Sequence, residues 1–498
     1  MIWALALFPT LAGLALWALP APRAVMGALA CVVAAVTAGL ALAAGDMAGT
    51  WVWTGPLTLQ SELIGPAQVI AVAVPAVALP ILLYAAKIEP AGGLSRLLGL
   101  LLVFTGGMEL ILIAADLVTL LIGWEIVGAC SFALIAHDWR RAVQDGTFAF
   151  VATRLADVGL FLALITCFAA TGDTGFDALG TLEGRALMIA GYGVALAAIG
   201  KAGLLPFSPW LFRAMAGPVP VSALLHSASM VAAGVYLLAR LWPEIGGAPG
   251  LGPALMALGL LTALAGGVEA LRRRHSKKVL AASTSSQMGL MVATVGAGFP
   301  GVALLHLLVH AAFKAGLFLN AGVRHEASGT YDITRGAGAG VFWLSLPLVL
   351  ALAAVPPLGG GWSKEEMLAA VGHAAPAWGV AFAVAGALSA AYSVRFLLAG
   401  RDHGDLPLAG AVWATALFSL TTLGLSALWL PDFHDAAARL LDADLPKGKL
   451  WETLLSLGLL AAGLAFGLWA ARHPKPAPER AWFGLSDLLD PGLTHRFT

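Results

Sequence analysis

Apolar runs about 20 residues long recur along nearly the whole chain, with short polar stretches between them. Each run is long enough to cross a hydrocarbon core as a helix. The candidate spans are approximately 2–19, 24–45, 66–86, 94–114, 116–136, 145–169, 186–216, 219–241, 252–271, 277–297, 301–323, 341–372, 376–400, 411–430 and 451–471. The seventh is interrupted by Gly203 and Pro206, the twelfth by Pro356, Pro357 and three glycines. Apolar sequence that breaks and resumes beside an ionisable group is the pattern of a discontinuous membrane helix. Spans 4–8 and 9–13 then form two sets of five, each with a broken member that carries a lysine. Five is odd, so the second set enters the membrane upside down relative to the first. The expectation is an all-α polytopic membrane protein of about 14–15 transmembrane helices, with two inverted five-helix repeats and broken helices 7 and 12. Its parts are residues 1–93 (three N-terminal spans), 94–241 (first repeat), 252–400 (second repeat), 411–472 (C-terminal helices) and 473–498 (a polar tail at the cytoplasmic surface).

Composition agrees with this reading. Of 498 residues, 59% are hydrophobic and 11% charged, where a soluble domain carries about 25% charged residues. Mean hydropathy is +0.87. The formal net charge is +0, so no bulk electrostatic argument for nucleic acid arises. The 28 lysines and arginines test the span count independently. Eighteen follow odd-numbered spans, five follow even-numbered ones, and five lie inside spans. By the positive-inside rule the amino terminus is outside and the carboxyl terminus cytoplasmic, in the cell's inner (plasma) membrane. The first 20 residues lack the basic region of a cleaved signal and read as a retained span.

The ionisable residues within the spans carry the candidate chemistry. Lys201, in AAIGKAGLLPF, costs roughly 2.5–3.5 kcal/mol to insert at bilayer depth, so it serves a function unless it snorkels to the interface. Glu125, in LLIGWEIVGAC, is its expected partner; a carboxylate that approaches and leaves a buried amine makes a switchable proton site, whereas a static ion pair is the structural alternative. Arg154 and Asp157, three apart on one helical face, can satisfy each other. His226 lies about one turn into the eighth span, suited to a relay or to a core position. In LLHLLVHAAFKAG, His306, His310 and Lys314 recur every four residues, so they line one face about 6 Å apart. Two such histidines could also ligate a metal. No carboxylate base sits between them, however, and the next group is a cation; a water-assisted proton relay accounts for all three. Lys277 begins a span with a hydroxyl-rich face (Ser283, Thr284, Ser286, Gln287), and Lys364 follows the second break. Cys31, Cys130 and Cys167 stand singly, without the paired spacing of a zinc or iron–sulfur site. Gly200-Lys201 fails the phosphate-loop spacing. Any redox or nucleotide chemistry is therefore expected on partner chains.

At these residues the chain resembles the antiporter-like subunit family: the subunit L (chain 5) type of NADH:quinone oxidoreductase, complex I, with relatives in multi-subunit Mrp cation/proton antiporters and two-component Dab-type inorganic-carbon uptake systems. The matching segments are GWEIVGACSFALI, GKAGLLPFSPWLFRAMAGPVPVSALLHSASMVAAGVYLLAR, SKKVLAASTSSQMGLM, HLLVHAAFKAGLFLNAG and WSKEEML. The resemblance implies proton-path residues at Glu125, Lys201, His226, Lys277, His306, His310, Lys314 and Lys364, with the first two as the switching pair and Lys364 at exit or uptake. It implies a proton-translocating subunit of a complex I-like assembly, with protons as the transported ion and sodium as the alternative. No cofactor is expected on this chain; quinone, flavin or iron–sulfur clusters belong to other membrane or soluble subunits. Glu109, in GGMELILIAAD, has no counterpart among the implied roles.

Overall fold

The computed structural model describes residues 1–18, 21–54, 57–335, 338–400 and 409–473. The expected tail, from 474 onward, lies outside the described residues. Helices α1 (Ala4–Ala18) and α2 (Arg23–Ala43) precede a hairpin of β1 (Met47–Thr54) and β2 (Leu57–Leu63). Then follow α3 (Pro66–Ile88), α4 (Leu94–Ile113), α5 (Leu117–Ile135), α6 (Trp139–Thr171) and the short α7 (Phe176–Gly180). α8 (Gly184–Ala202) and α9 (Pro209–Arg213) are the pieces of one broken span, and α10 (Val219–Leu225) and α11 (Met230–Arg240) those of another. After α12 (Trp242–Ile245) come α13 (Leu251–Arg272), α14 (Ser276–Gly296) and α15 (Pro300–Ser328). The third broken span is α16 (Gly338–Leu352) with α17 (Gly359–Ala374), followed by α18 (Pro376–Leu398), α19 (Ala409–Gly424), α20 (Pro431–Leu440) and α21 (Leu450–Arg472). Every predicted span is thus occupied by helix.

Among the described residues, twelve spans are both long and apolar enough to cross a membrane, while α1 and α16 are shorter apolar helices. α14 falls short on hydropathy because of its serines, threonines and glutamine. These are almost fully enclosed by protein, where they meet partners rather than lipid. The outer surface has the opposite character: Val151, Leu155, Val158 and Leu162 on α6 and Leu454 and Leu457 on α21 are exposed. Apolar side chains outside and hydroxyls, amines and imidazoles inside suit a lipid solvent.

Two features depart from the sequence expectation. The stretch 46–65, left between two predicted spans of an all-α fold, forms an antiparallel hairpin pairing Met47 with Leu63 and Thr50 with Gln60. Asp116 at the start of α5 holds it in place, accepting from Gln60 N at 2.6 Å as well as from Val118 N and Thr119 N at 2.8 and 2.9 Å. The eighth span, read as continuous, is interrupted at His226–Ser229 without glycine or proline. Serine hydroxyls replace the helical bonds there: Ser227 and Ser229 both donate to Leu224 O, the local competition by which Ser diverts a helix.

Glycine sets the spacing of α6 against α8. A methyl group at Gly159 would overlap the Gly193 carbonyl oxygen, and one at Gly200 would overlap Ala156. This close approach places Asp157 of α6 beside Lys201 of α8.

Candidate functional site

The first cluster lies at the broken end of α8. Lys201 is fully buried, in the last turn of the half-helix, where exposed carbonyls favour a cation. Its Nζ donates to Trp124 O at 3.0 Å, lies 4.6 Å from the Trp124 ring centre, and is 3.6 Å from Asp157 Oδ2. Asp157 in turn accepts from Trp124 Nε1 at 2.5 Å and pairs with Arg154 Nη2 at 2.5 Å. Arg154 is also paired with Glu125. The expected direct Glu125–Lys201 pair is therefore corrected: Arg154 and Asp157 stand between them, and Glu125 is on the half-exposed flank of α5. The reason is geometric. Trp124 and Glu125 are neighbours on one helix, so when Trp124 faces Lys201, Glu125 is turned about 100° away. Gly128, one turn further on, leaves the room that Arg154 and Lys201 occupy.

The break itself is braced by polar groups from other helices. Trp210 Nε1 donates to Gly200 O at 2.8 Å, Ser285 Oγ to Gly203 O at 2.8 Å, and Leu205 N to Thr262 Oγ1 at 3.2 Å. Trp210 also stacks on His226, whose other face meets Phe318 at 5.3 Å. Both nitrogens of His226 are buried without a hydrogen-bond partner among the described residues.

Beyond it runs the second cluster. Lys277 is buried and donates to Met215 O and Gly217 O at 2.8 and 2.6 Å, separating it from the half-buried Lys278. Lys314 donates to Ser283 Oγ at 2.7 Å. His310 adjoins His306 with ring centres 6.4 Å apart, and both its nitrogens lack a partner among the described residues. His306 uses both of its nitrogens: Nδ1 with Ser363 Oγ at 2.8 Å and Nε2 with Gln287 Oε1 at 3.1 Å. That engagement leaves the histidine pair one nitrogen donor short of the metal alternative.

From His306 the bonded chain continues without a gap to Lys364. Gln287 Nε2 donates to Ser389 Oγ at 3.3 Å and Tyr392 Oη at 3.1 Å, and Lys364 Nζ donates to Ser389 Oγ at 2.9 Å. Lys364 also reaches Leu352 O, the carbonyl end of α16, at 2.5 Å. Two of the three broken spans thus present a lysine at the carbonyl end of their first half, one from within it (Lys201) and one from beyond the break (Lys364). Ser389 and Tyr392 escaped the sequence reading: a serine and a tyrosine in an apolar run carry no signal until a buried lysine is placed opposite.

A family model described as NADH:quinone oxidoreductase/Mrp antiporter, TM, matches residues 114–389, more than half of the chain and every candidate relay residue. The chain belongs to this family. Among curated relatives, it is 34% identical to NADH-ubiquinone oxidoreductase chain 5 of Pelomedusa subrufa over 406 residues, covering 76% of this chain and 65% of that one. It is 35% identical to NAD(P)H-quinone oxidoreductase chain 5 of a Synechocystis strain over 333 residues, covering 61% and 48%. The chain thus spans about half to two thirds of the length of these relatives. Among solved structures, the Mrp complex of a Dietzia species superposes over 100% of this chain and 59% of the matched one, with TM-score 0.82 at 26% identity. Respiratory complex I of Thermus thermophilus superposes over 93% of this chain and 100% of the matched one, with TM-score 0.78; at 23% identity that likeness is one of fold. Family and fold together establish a multi-pass membrane protein of the antiporter-like type.

Proposed function

We propose that the chain is the proton-translocating, antiporter-like membrane subunit of a complex I-like assembly, working beside other membrane subunits in the inner (plasma) membrane. The observation that carries this reading is the axis of buried amines and imidazoles: Lys201, His226, Lys314, His310, His306 and Lys364, all enclosed within apolar helices and linked at one end by continuous hydrogen bonds. Ionisable groups are retained in a bilayer at a cost that a purely structural core avoids. The names of the relatives support the assembly, and residues 94–241 and 252–400 are read as the two inverted halves that their lysine-bearing breaks suggest.

The chemistry follows from charge pairing. Arg154 is shared between Glu125 and Asp157. When Glu125, on the half-exposed flank, is neutralised or drawn to a neighbouring subunit, Arg154 turns wholly to Asp157, and Lys201 loses its counter-ion. Its proton then passes toward His226. The imidazoles of His226 and His310 have unpaired nitrogens in a polar interior, positions that bridging water satisfies, and water completes the path to Lys314 and His306. Ser389, Gln287 and Tyr392 hold Lys364 in register with His306. A cavity of about 30 Å³, lined by Lys364, Glu365 and Ser456, is room for about one water at the far end. Lys277, fixed by two carbonyls, lies beside the break as a branch of the axis. No bond to an organic substrate is made on this chain.

The test is reconstitution of the intact complex in proteoliposomes with a pH-sensitive dye. Lys201→Ala and Glu125→Ala abolish proton movement while leaving assembly intact; wild-type translocation by both variants removes the proposal. The Mrp likeness over the whole chain supports a second reading, cation/proton exchange, which predicts sodium-dependent proton movement without electron transfer. The hairpin face is read as the outer side, with the amino terminus outside and the carboxyl terminus cytoplasmic.

A further inference from the structure

Glu109 lies in α4, outside the segment that the family model matches, and the axis above does not use it. It is fully buried. Of the buried carboxylates among the described residues, Asp116 caps α5, Asp157 and Glu269 are paired with cations, and Glu452 accepts from Lys449 N. Glu109 alone has no partner for either oxygen among the described residues. A buried carboxyl without partners calls for an explanation.

Its position supplies one. α4 and α5 come together where a methyl at Gly123 would press on Gly107 O and Ile111 N. Glu109, between those two α4 residues, is therefore at the depth of Trp124, whose carbonyl holds Lys201. On the other side, α11 leans on α8 where Gly234 meets Ala198 O and Ala202 N, again at the level of Lys201. Two residues along α11, Tyr236 donates to Leu112 O at 3.2 Å, one turn from Glu109, and Arg240 follows one turn further along the same helix. Arg240 meets Glu62 of the hairpin at 3.5 Å, and Glu62 is 37% exposed. The polar line Glu109–Tyr236–Arg240–Glu62 therefore runs from the Lys201 layer to the hairpin face. Among the other elements packed against α4, α1 carries no charged residue, α2 and α3 carry one cation each at an end (Arg23 and Lys87), and α5 brings Asp116 at its N-cap, already committed to four donors, and Glu125, paired with Arg154.

We propose that Glu109 is a proton-binding site that connects the Lys201 cluster to the hairpin face through Tyr236, with Arg240 and Glu62 forming the mouth. This rests on the proton-translocation reading above and adds to it a second opening, separate from the one at Lys364. A proton taken up at Glu62 passes by the Tyr236 hydroxyl to a Glu109 oxygen, and the reverse sequence releases it, so atoms and charge balance at each transfer.

The experiment uses the intact complex in proteoliposomes, comparing wild type, E109Q, E109D, Y236F and K201A. E109Q and Y236F are each expected to lower proton flux at least tenfold, with E109D retaining a third or more of it. Infrared difference spectra of the complex are expected to show a carboxylic acid C=O band that is deuterium-sensitive and missing in E109Q. Wild-type flux in E109Q, or an unchanged band in E109Q, overturns the proposal. If E109Q fails to assemble, Y236F decides, since it removes only a hydroxyl and wild-type flux there overturns the path. Wild-type flux in K201A would instead sink the relay itself, whereas an inactive K201A beside a fully active E109Q refutes Glu109 alone.

Discussion

Asp157 is the residue on which the first cluster depends, and Asp157→Asn tests this directly. The substitution keeps shape and hydrogen-bonding capacity while removing one negative charge from a group of two carboxylates and two cations. At 3.6 Å and an effective dielectric of 20, the lost attraction for Lys201 is about 5 kcal/mol. Relaxation and water screening are taken to halve this, leaving roughly 2–3 kcal/mol, or about 30- to 150-fold in an equilibrium. Proton flux through the reconstituted complex should fall by about that factor. The deficit should be specific to the pair: in a double-mutant cycle, Asp157→Asn added to Lys201→Ala should cost far less than it does in the wild-type background. Flux within twofold of wild type, or fully additive losses, would refute the assignment of Asp157 as the counter-ion and return Glu125 to that place.

Other expectations follow from the same geometry. Gly159→Val forces a side chain onto the Gly193 carbonyl; it should separate α6 from α8, lower stability by about 1–3 kcal/mol in detergent melts, and stop proton movement by parting Asp157 from Lys201. Ser389→Ala removes the hydroxyl linking Lys364 with Gln287; a loss of about 1–2 kcal/mol and slowed flux are expected, and unchanged flux would show that the bonded chain is not the path. A cysteine at Val52, exposed on β1, should react with a membrane-impermeant thiol reagent from outside intact cells; labelling only after lysis would reverse the proposed orientation.

Much of the architecture is legible one-dimensionally because a bilayer imposes a one-dimensional rule: a span must be apolar for its whole length, and a break made by glycine or proline beside a polar group stands out against that background. Gly203 and Pro206, and Pro356 and Pro357, announced their breaks in that way. The four-residue spacing of His306, His310 and Lys314 likewise needed only helical periodicity to put them on one face. The break at His226 was invisible because serine is an ordinary residue within an apolar run, and its hydroxyls disrupt the helix only through the local bonds they choose. The hairpin was missed because strands of eight and seven residues over a membrane surface alternate weakly and depend on Asp116 to hold them.

What the amino-acid order determined by itself was the placement of the apolar helices, two of the three breaks, and which ionisable groups are stored within those helices. Only the tertiary structure decided their partners: that Lys201 answers to Asp157 rather than Glu125, that Ser389 and Tyr392 complete the Lys364 end, and that Glu109 stands unpaired at the level of Lys201. The physical reason is that burial cost is a property of one residue in one solvent, readable along a line. A counter-ion is a matter of which faces of two helices meet, and that is set by glycine contacts between segments remote in sequence.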